Sequence, residues 1–393
     1  MEESLLYIGG FEPPDKNAAA QRVWANSLLF ESLGMRVILL GVSKSTTSFS
    51  KNSASKFLTY TKQYPSNLFQ WLTMLVSINE VKSMVKNVKK HGEIKLIVAY
   101  NYPAIALLRL YYYTKRKNLK LIADCTEWPH AENARSIKEL IKNLDTVLRM
   151  RCIHPKLDGI IVISRYLKDY YSKKMSSVLL LPPLVNKCDK KWSYKGVRIP
   201  QDKIVIVYAG SPGNGGKDRL DLIFKALSSI SEKINLRYEL KIVGIDKTQY
   251  FKDFNQESIP ANLDSKLSFL GRIPHKQAVL LLKNAHYSIF LRPKSRITAA
   301  GFPTKFVESI SCGTPVLTND SSNITDYLLS GENGFLLGDV FEDLSRDLQR
   351  ALEQSIEKIM LMKKACKSTL VFDYANYTRE ISIFFREIGF YIK

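Results

Sequence analysis

At 393 residues, 45% hydrophobic and 24% charged, the chain has globular usage, which excludes a disordered, collagen-like or disulfide-scaffold protein. Single cores stop growing near about 250–300 residues, so two domains are expected. The net charge of +21 is lopsided, with 32 Lys+Arg against 15 Asp+Glu in residues 1–200 and 26 against 22 thereafter; it points to nucleic acid, an anionic bilayer, a polyanionic substrate or merely lysine-rich solvated helices.

Taken in chain order, SLLYIG (4–9) reads as a strand, GFEPPDKN as a turn-rich loop, AAQRVWANSLLFESLG as a helix and MRVILLG as a second strand. KLIVAY (95–100), a helix from Pro103, KLIADC (120–125), a helix around 135–151, DGIIVIS (158–164) and RYLKDYYSK continue the alternation. The prolines and charges of 179–203 lack periodicity and read as a linker, placed at 185–202 between an N-terminal domain (1–184) and a C-terminal one (203–370). There the alternation restarts: KIVIVYAG (203–210), a helix from about Asp218 to Ile230, YELKIVG (238–244), LSFLG (267–271), a helix over 275–285, HYSIFLRP (286–293), a helix from Pro303 to Cys312, PVLTN (315–319) and NGFLL (333–337). Such alternation implies parallel sheets covered on both faces. The tail, within 371–393, predicts an amphipathic helix with Tyr377, Ile381, Phe384 and Ile388 on one side.

Five cysteines with no Cys-x-x-Cys pair encode neither a disulfide framework nor a zinc site, which fits a reducing cytoplasm. The acidic start carries no signal-peptide pattern, and no window reaches the roughly 18 apolar residues of a membrane span. His91, His154, His275 and His286 read as helix ends or loop residues, so no metal is expected.

Ligands of open parallel sheets bind at the carboxyl ends of the strands. AGSPGNGGKD (209–218) is a glycine-rich turn of that kind, able to bring backbone near an anion, with Lys217 at its end; a purely structural turn is the alternative. In RPKSRITAAGFPTKFVESISCGTPVLTN (292–319), Pro303 suits a helix start, leaving amides near Thr304 and Lys305 to meet phosphate. Glu308, one turn on, can accept from two vicinal hydroxyls such as those of a ribose, or simply favour the helix terminus. VKSMVKNVKKHG (81–92) and ALLRLYYYTKRKNLK (106–120) are candidates for an anionic bilayer; for the first, the alternative is a core stripe of Val81, Met84, Val85 and Val88. No nucleic-acid signature accompanies the charge.

The segments GGFEPPDKNAAAQRV, IVISRYL (161–167), LLPPLV (180–185), YAGSPGNGGKDRL (208–220) and GFPTKFVESISCGTPVLTN (301–319) resemble family 4 retaining glycosyltransferases of the GT-B fold, glycosyl transferases group 1. The resemblance implies an α/β protein with two Rossmann-like domains facing each other across a cleft, and a C-terminal helix crossing back to the N-terminal domain. It implies a nucleoside diphosphate sugar donor in the C-terminal domain, no metal cofactor, and an acceptor hydroxyl on a surface glycan or lipid carrier at the cytoplasmic face of the membrane. Lys217 would hold the diphosphate and act catalytically; Glu308 would take the ribose; Gly210, Ser211, Phe302, Pro303, Thr304 and Lys305 would line the donor, with Gly9 and Gly10 approaching its phosphates. Asp124 and Glu127, beside His130, fall on the acceptor side and are the candidates to orient or deprotonate it. Arg22 either faces the cleft or pairs on the surface. The family's first acidic position falls on Ala300, and its Gly-Phe-Gly is here Gly301-Phe302-Pro303, so the donor sugar contacts differ. A nucleotide-sugar epimerase, a phosphorylase and a catalytically silent partner subunit or membrane-docking protein remain alternatives on this scaffold.

Overall fold

The computed structural model describes residues 3–13, 17–43, 50–52, 56–87, 93–129, 136–193, 199–213, 217–233 and 238–391. Val88, His91, His130 and Gly215 lie outside them. The chain forms two compact units, Met1–Asn186 with Asp373–Lys393, and Lys187–Phe372. Most of the stretch read as a linker therefore packs with the second unit: Trp192 lies against Val205 and Leu282, and its carbonyl accepts from Lys283 Nζ at 2.6 Å.

The first unit runs β1 (Glu3–Gly9), α1 (Ala18–Ser32), β2 (Arg36–Ser43), β3 (Ser50–Asn52), β4 (Leu58–Gln63), α2 (Leu68–Val76), α3 (Asn79–Asn87), β5 (Glu93–Tyr100), α4 (Ala104–Lys117), β6 (Lys120–Cys125), α5 (Ile137–Leu148), β7 (Gly159–Val162), α6 (Arg165–Ser172) and β8 (Val178–Leu180). The sheet order is β3-β4-β2-β1-β5-β6-β7-β8, parallel except for β3 against β4. Central strands such as β1, whose Leu5, Leu6, Tyr7 and Ile8 are all buried, are apolar throughout because helices cover both faces. Segment 50–63 lacks that signature: β3 and β4 form a polar edge, and apolar periodicity does not reveal them.

The second unit runs β9 (Ile204–Ala209), α7 (Leu220–Lys233), β10 (Tyr238–Val243), α8 (Lys247–Phe254), α9 (Ala261–Asp264), β11 (Leu267–Gly271), α10 (His275–Asn284), β12 (Tyr287–Ile289), α11 (Arg296–Ala300), α12 (Thr304–Ser311), β13 (Val316–Asn319), β14 (Gly334–Leu337), α13 (Phe341–Leu352) and α14 (Ile356–Ser368). Its parallel sheet is ordered β11-β10-β9-β12-β13-β14. Chain order reverses between β9 and β12, which opens a crevice at their carboxyl ends. The last helix, α15 (Thr378–Glu387), returns to the first unit. There Ile381, Phe384, Phe385 and Ile388 join the core of Leu28, Phe30 and Leu39, with the rings of Phe30 and Phe385 5.6 Å apart.

A buried polar knot ties the first unit together. Arg22 on α1 donates from Nε and Nη2 to Asp124 at the end of β6, at 3.0 and 2.8 Å, and from Nη1 to the Leu181 carbonyl at 3.0 Å. Tyr7 donates its hydroxyl to the same carboxylate. Burial and the adjacent carboxylate push the Tyr7 phenol well up, keeping it a donor.

Candidate functional site

The donor-side candidates converge at the crevice of the second unit. The turn after β9 and the first turn of α12 lie against each other, because Lys305 reaches across to pair with Asp218 and donates to the Tyr208 hydroxyl at 2.7 Å. Tyr208 in turn donates to Asp218 Oδ2 at 2.7 Å, and the Lys305 ammonium sits 4.1 Å from its ring centroid. Gly210, at φ +144, is a close-approach glycine: a Cβ there would run into the Lys305 side chain. Burial, assisted by the charges of Lys217 and Arg292, outweighs the pull of Asp218 and lowers the Lys305 ammonium to about 8.

Lys217 is exposed at the rim, its N–H donating to the Pro212 carbonyl at 3.0 Å. The cations set inside the crevice are instead Lys305 and Arg292. Arg292 follows β12, where Asn319 clamps its backbone: the Arg292 N–H donates to Asn319 Oδ1 at 2.9 Å and the Arg292 carbonyl accepts from Asn319 Nδ2 at 2.8 Å. Arg292 is only 7% exposed, yet its Nε and Nη1 have no hydrogen-bond partner. With Arg219 and Lys294 it lines a hollow of about 250 Å³ and interacts electrostatically with Asp218 and Lys305. Burial lowers its pKa, yet an arginine of ordinary value above 12 keeps its proton. Arg292 has a signal in the sequence, a charge closing the YSIFL run (287–291) just past β12, where the chain leaves the sheet's carboxyl edge.

Pro303 starts α12 with no side-chain cap, so the amides of Thr304 and Lys305 remain available at a helix N-terminus. The Phe302 side chain turns inward against Phe306, Tyr327 and Phe372, so only its backbone can meet a ligand. Ser211 is exposed beside Gly210. Ala300 is buried, so the family's first acidic position has no side chain at the surface. Glu308 meets His275, at the start of α10, with Nε2 and Oε1 2.5 Å apart and both side chains partly exposed. His275, read from sequence as a helix flank, thus belongs to this site; its partner lies 33 residues away, a distance only the fold closes.

In the first unit, Gly9 and Gly10 close β1 and, with Lys62, Asn101 and Tyr102, line a hollow of about 120 Å³. Asn101 donates to Thr126 Oγ1 at 2.7 Å, which brings the loop carrying Glu127 beside the end of β5; Glu127 is exposed. Asp124 requires correction as an acceptor-side base: it is fully buried and clasped by Arg22 and Tyr7, so its carboxylate is structural. Arg22 neither faces a ligand nor pairs on the surface but lies in that knot. His154 and His286 are buried; the Tyr171 hydroxyl lies 2.7 Å from His154 Nδ1, and His286 Nδ1 accepts from the Val205 N–H at 2.9 Å. Burial lowers both imidazole pKa values, that of His286 to about 4. Among the described residues no set of three or more His, Cys, Asp or Glu side chains is grouped to hold a metal.

Two Rossmann-like units, the second with its ligand crevice at the β9–β12 reversal, define the GT-B architecture. Residues 189–368, nearly all of the second unit, match the model of glycosyl transferases group 1. The fold is shared with sucrose-phosphate synthase from Thermosynechococcus elongatus, at TM-score 0.68 and 13% identity, covering 99% of each chain. It is shared with WaaG, a glycosyltransferase involved in lipopolysaccharide biosynthesis, at TM-score 0.62 and 15% identity, covering 97% of this chain and 100% of that one. Anabaena HepE, solved with UDP and glucose, aligns at TM-score 0.61 and 13% identity over 97% of this chain and 98% of its own. No curated protein sequence matches the chain.

Proposed function

We propose that this glycosyltransferase moves a hexosyl group, with retention at the anomeric carbon, from a nucleoside diphosphate sugar to a hydroxyl of a surface glycan or its lipid-linked precursor, at the cytoplasmic face of the membrane. The observation that carries the reading is the buried Arg292, whose Nε and Nη1 have no hydrogen-bond partner, close to the Lys305 ammonium, at the open N-terminus of α12. Interior cations and free amides of this kind suit the charge that builds on a departing diphosphate.

In this reading Arg292, Lys305 and the amides of Thr304 and Lys305 take the diphosphate, with Lys217 approaching from the rim. Glu308, steadied by His275, accepts from the ribose hydroxyls. The bond from the anomeric carbon to the diphosphate breaks as the acceptor oxygen forms its own bond on the same face, and the acceptor proton passes to a departing phosphate oxygen. Glu127 orients the acceptor. The protein's own cations meet the charge, and no resident cofactor is assigned a part.

A thermal-shift screen with UDP-, GDP-, CMP- and dTDP-sugars tests it. A donor at 100 times its dissociation constant adds about 2.7 kcal/mol of stability. Stabilisation by one nucleotide class, with sugar released or transferred on turnover, is the expected result. Stabilisation by none sinks the reading. Binding without turnover on any acceptor favours a silent subunit, which the buried Ala300 at the usual acidic position would suit.

A further inference from the structure

The sequence directed attention to residues 81–92 and 106–120 as membrane-facing segments. In the structure Val81 and Met84 of α3 are buried, as are Leu107 and Leu110 of α4. Tyr112 of α4 stays exposed, and a larger cluster of uncovered apolar side chains lies on two other helices. Helix α2, LFQWLTMLV, buries none of its residues. Leu68 is 62% and Phe69 79% exposed. On α5, Ile137 (78% exposed), Leu140, Leu144 (62%), Val147 and Leu148 recur at helical spacing along an open face. The two helices form one surface: Lys138 of α5 stands 5.4 Å from the Trp71 ring centroid on α2, and Tyr64, Leu68, Trp71, Lys138 and Lys142 share a hollow of about 290 Å³.

A nine-residue helix is marginal alone, and one with its apolar side chains in water gains little from the fold, so this face calls for a cover. Charge decides which. Lys138 and Lys142 flank the apolar stripe. Of the acids of α5, Asp145 is turned inward to accept from the Ala104 N–H at 2.7 Å. A twofold pairing of copies through this face would set the lysine rim against itself, a costly arrangement. An anionic bilayer instead offers phosphates to the lysines, acyl chains to Phe69, Ile137 and Leu144, and an interfacial position for Trp71.

We propose that the α2–α5 face is a membrane-docking surface for anionic phospholipid, with the apolar side chains inserted among the headgroups and the lysines paired with phosphate. This gives a place to the membrane location proposed above and rests on it only there; it is independent of the donor and acceptor assignments. The test is co-sedimentation of the full chain with vesicles of phosphatidylcholine alone and of equal parts phosphatidylcholine and phosphatidylglycerol. Binding to the anionic vesicles, weakening as salt rises, is expected. Lys138→Gln and Lys142→Gln should each lower partitioning about fivefold, and the triple variant Phe69→Ser, Ile137→Ser, Leu144→Ser should abolish it. All these side chains are solvent-facing, so folding is unaffected, which unchanged nucleoside diphosphate binding by calorimetry verifies independently of docking. A blue shift of tryptophan emission on vesicle addition, lost in Trp71→Phe, locates the contact. No binding to anionic vesicles, binding indifferent to these substitutions, or a dimer by light scattering that the triple variant dissociates would each overturn the proposal.

Discussion

Replacing Lys305 with methionine keeps the length of the side chain and removes its ammonium, which separates two roles that the structure assigns to one atom. The first role is internal: Nζ neutralises Asp218, a buried carboxylate otherwise held by the Tyr208 hydroxyl. Stranding one partner of a buried pair costs about 3–5 kcal/mol. For a unit of this size, at about 2–4 °C per kcal/mol, the melting midpoint should fall by roughly 10 °C. The second role is toward the donor, where a charge-assisted hydrogen bond is worth about 1.5–3 kcal/mol, or about ten- to a hundredfold in affinity. Adding Asp218→Asn removes the stranded charge and should recover most of the stability without restoring the ammonium. Calorimetry with the nucleoside diphosphate selected by the ligand screen should therefore find weakened binding in the single and the double variant alike. If the double variant melts normally and binds the nucleotide as tightly as the unaltered protein, Lys305 is a structural cation only, and the assignment of the crevice fails.

Donor affinity should be nearly flat below pH 8 and fall above it, as the Lys305 ammonium, lowered to about 8, loses its proton before the anion can pair with it; the fall should vanish in Lys305→Met. The same group binds fewer protons folded than unfolded between about pH 8 and its ordinary 10.5, so its contribution to stability rises with pH across that window. Glu308→Ala should weaken nucleoside diphosphate binding about tenfold or more while sparing inorganic pyrophosphate, and a 2′-deoxyribose ligand should lose less than its ribose counterpart in isothermal titration. Arg22→Met, which leaves Asp124 buried without its cation, should cost the first unit about 3–5 kcal/mol in urea denaturation with nucleotide affinity unchanged. Phe385→Ala should destabilise the same unit by about 3–5 kcal/mol, since its ring is buried against Phe30 and Phe390.

The central strands, the crevice segments and the amphipathic tail helix were legible in the sequence for one reason. Strands buried on both faces must be apolar throughout, and helices covering them must repeat apolar residues at helical spacing, so SLLYIG, KIVIVYAG and the Ile381–Phe384–Ile388 stripe each announce their place. The wording around 301–319 likewise puts Lys305 and Glu308 on the first turns of one helix, where the structure has them. Tertiary structure alone decided which charges are interior. A carboxylate written as ADC is equally at home in a site or in a core; only the arrival of Arg22 from 102 residues away makes Asp124 structural. Lys217 and Lys305 look alike in the sequence, yet one ends exposed at the rim and the other is largely covered, paired with Tyr208 and Asp218, because burial depends on what the remainder of the chain brings alongside. The same holds for apolar side chains: α2 has the composition of a core helix and α5 an apolar stripe, and only the packing of their neighbours leaves those faces open to solvent.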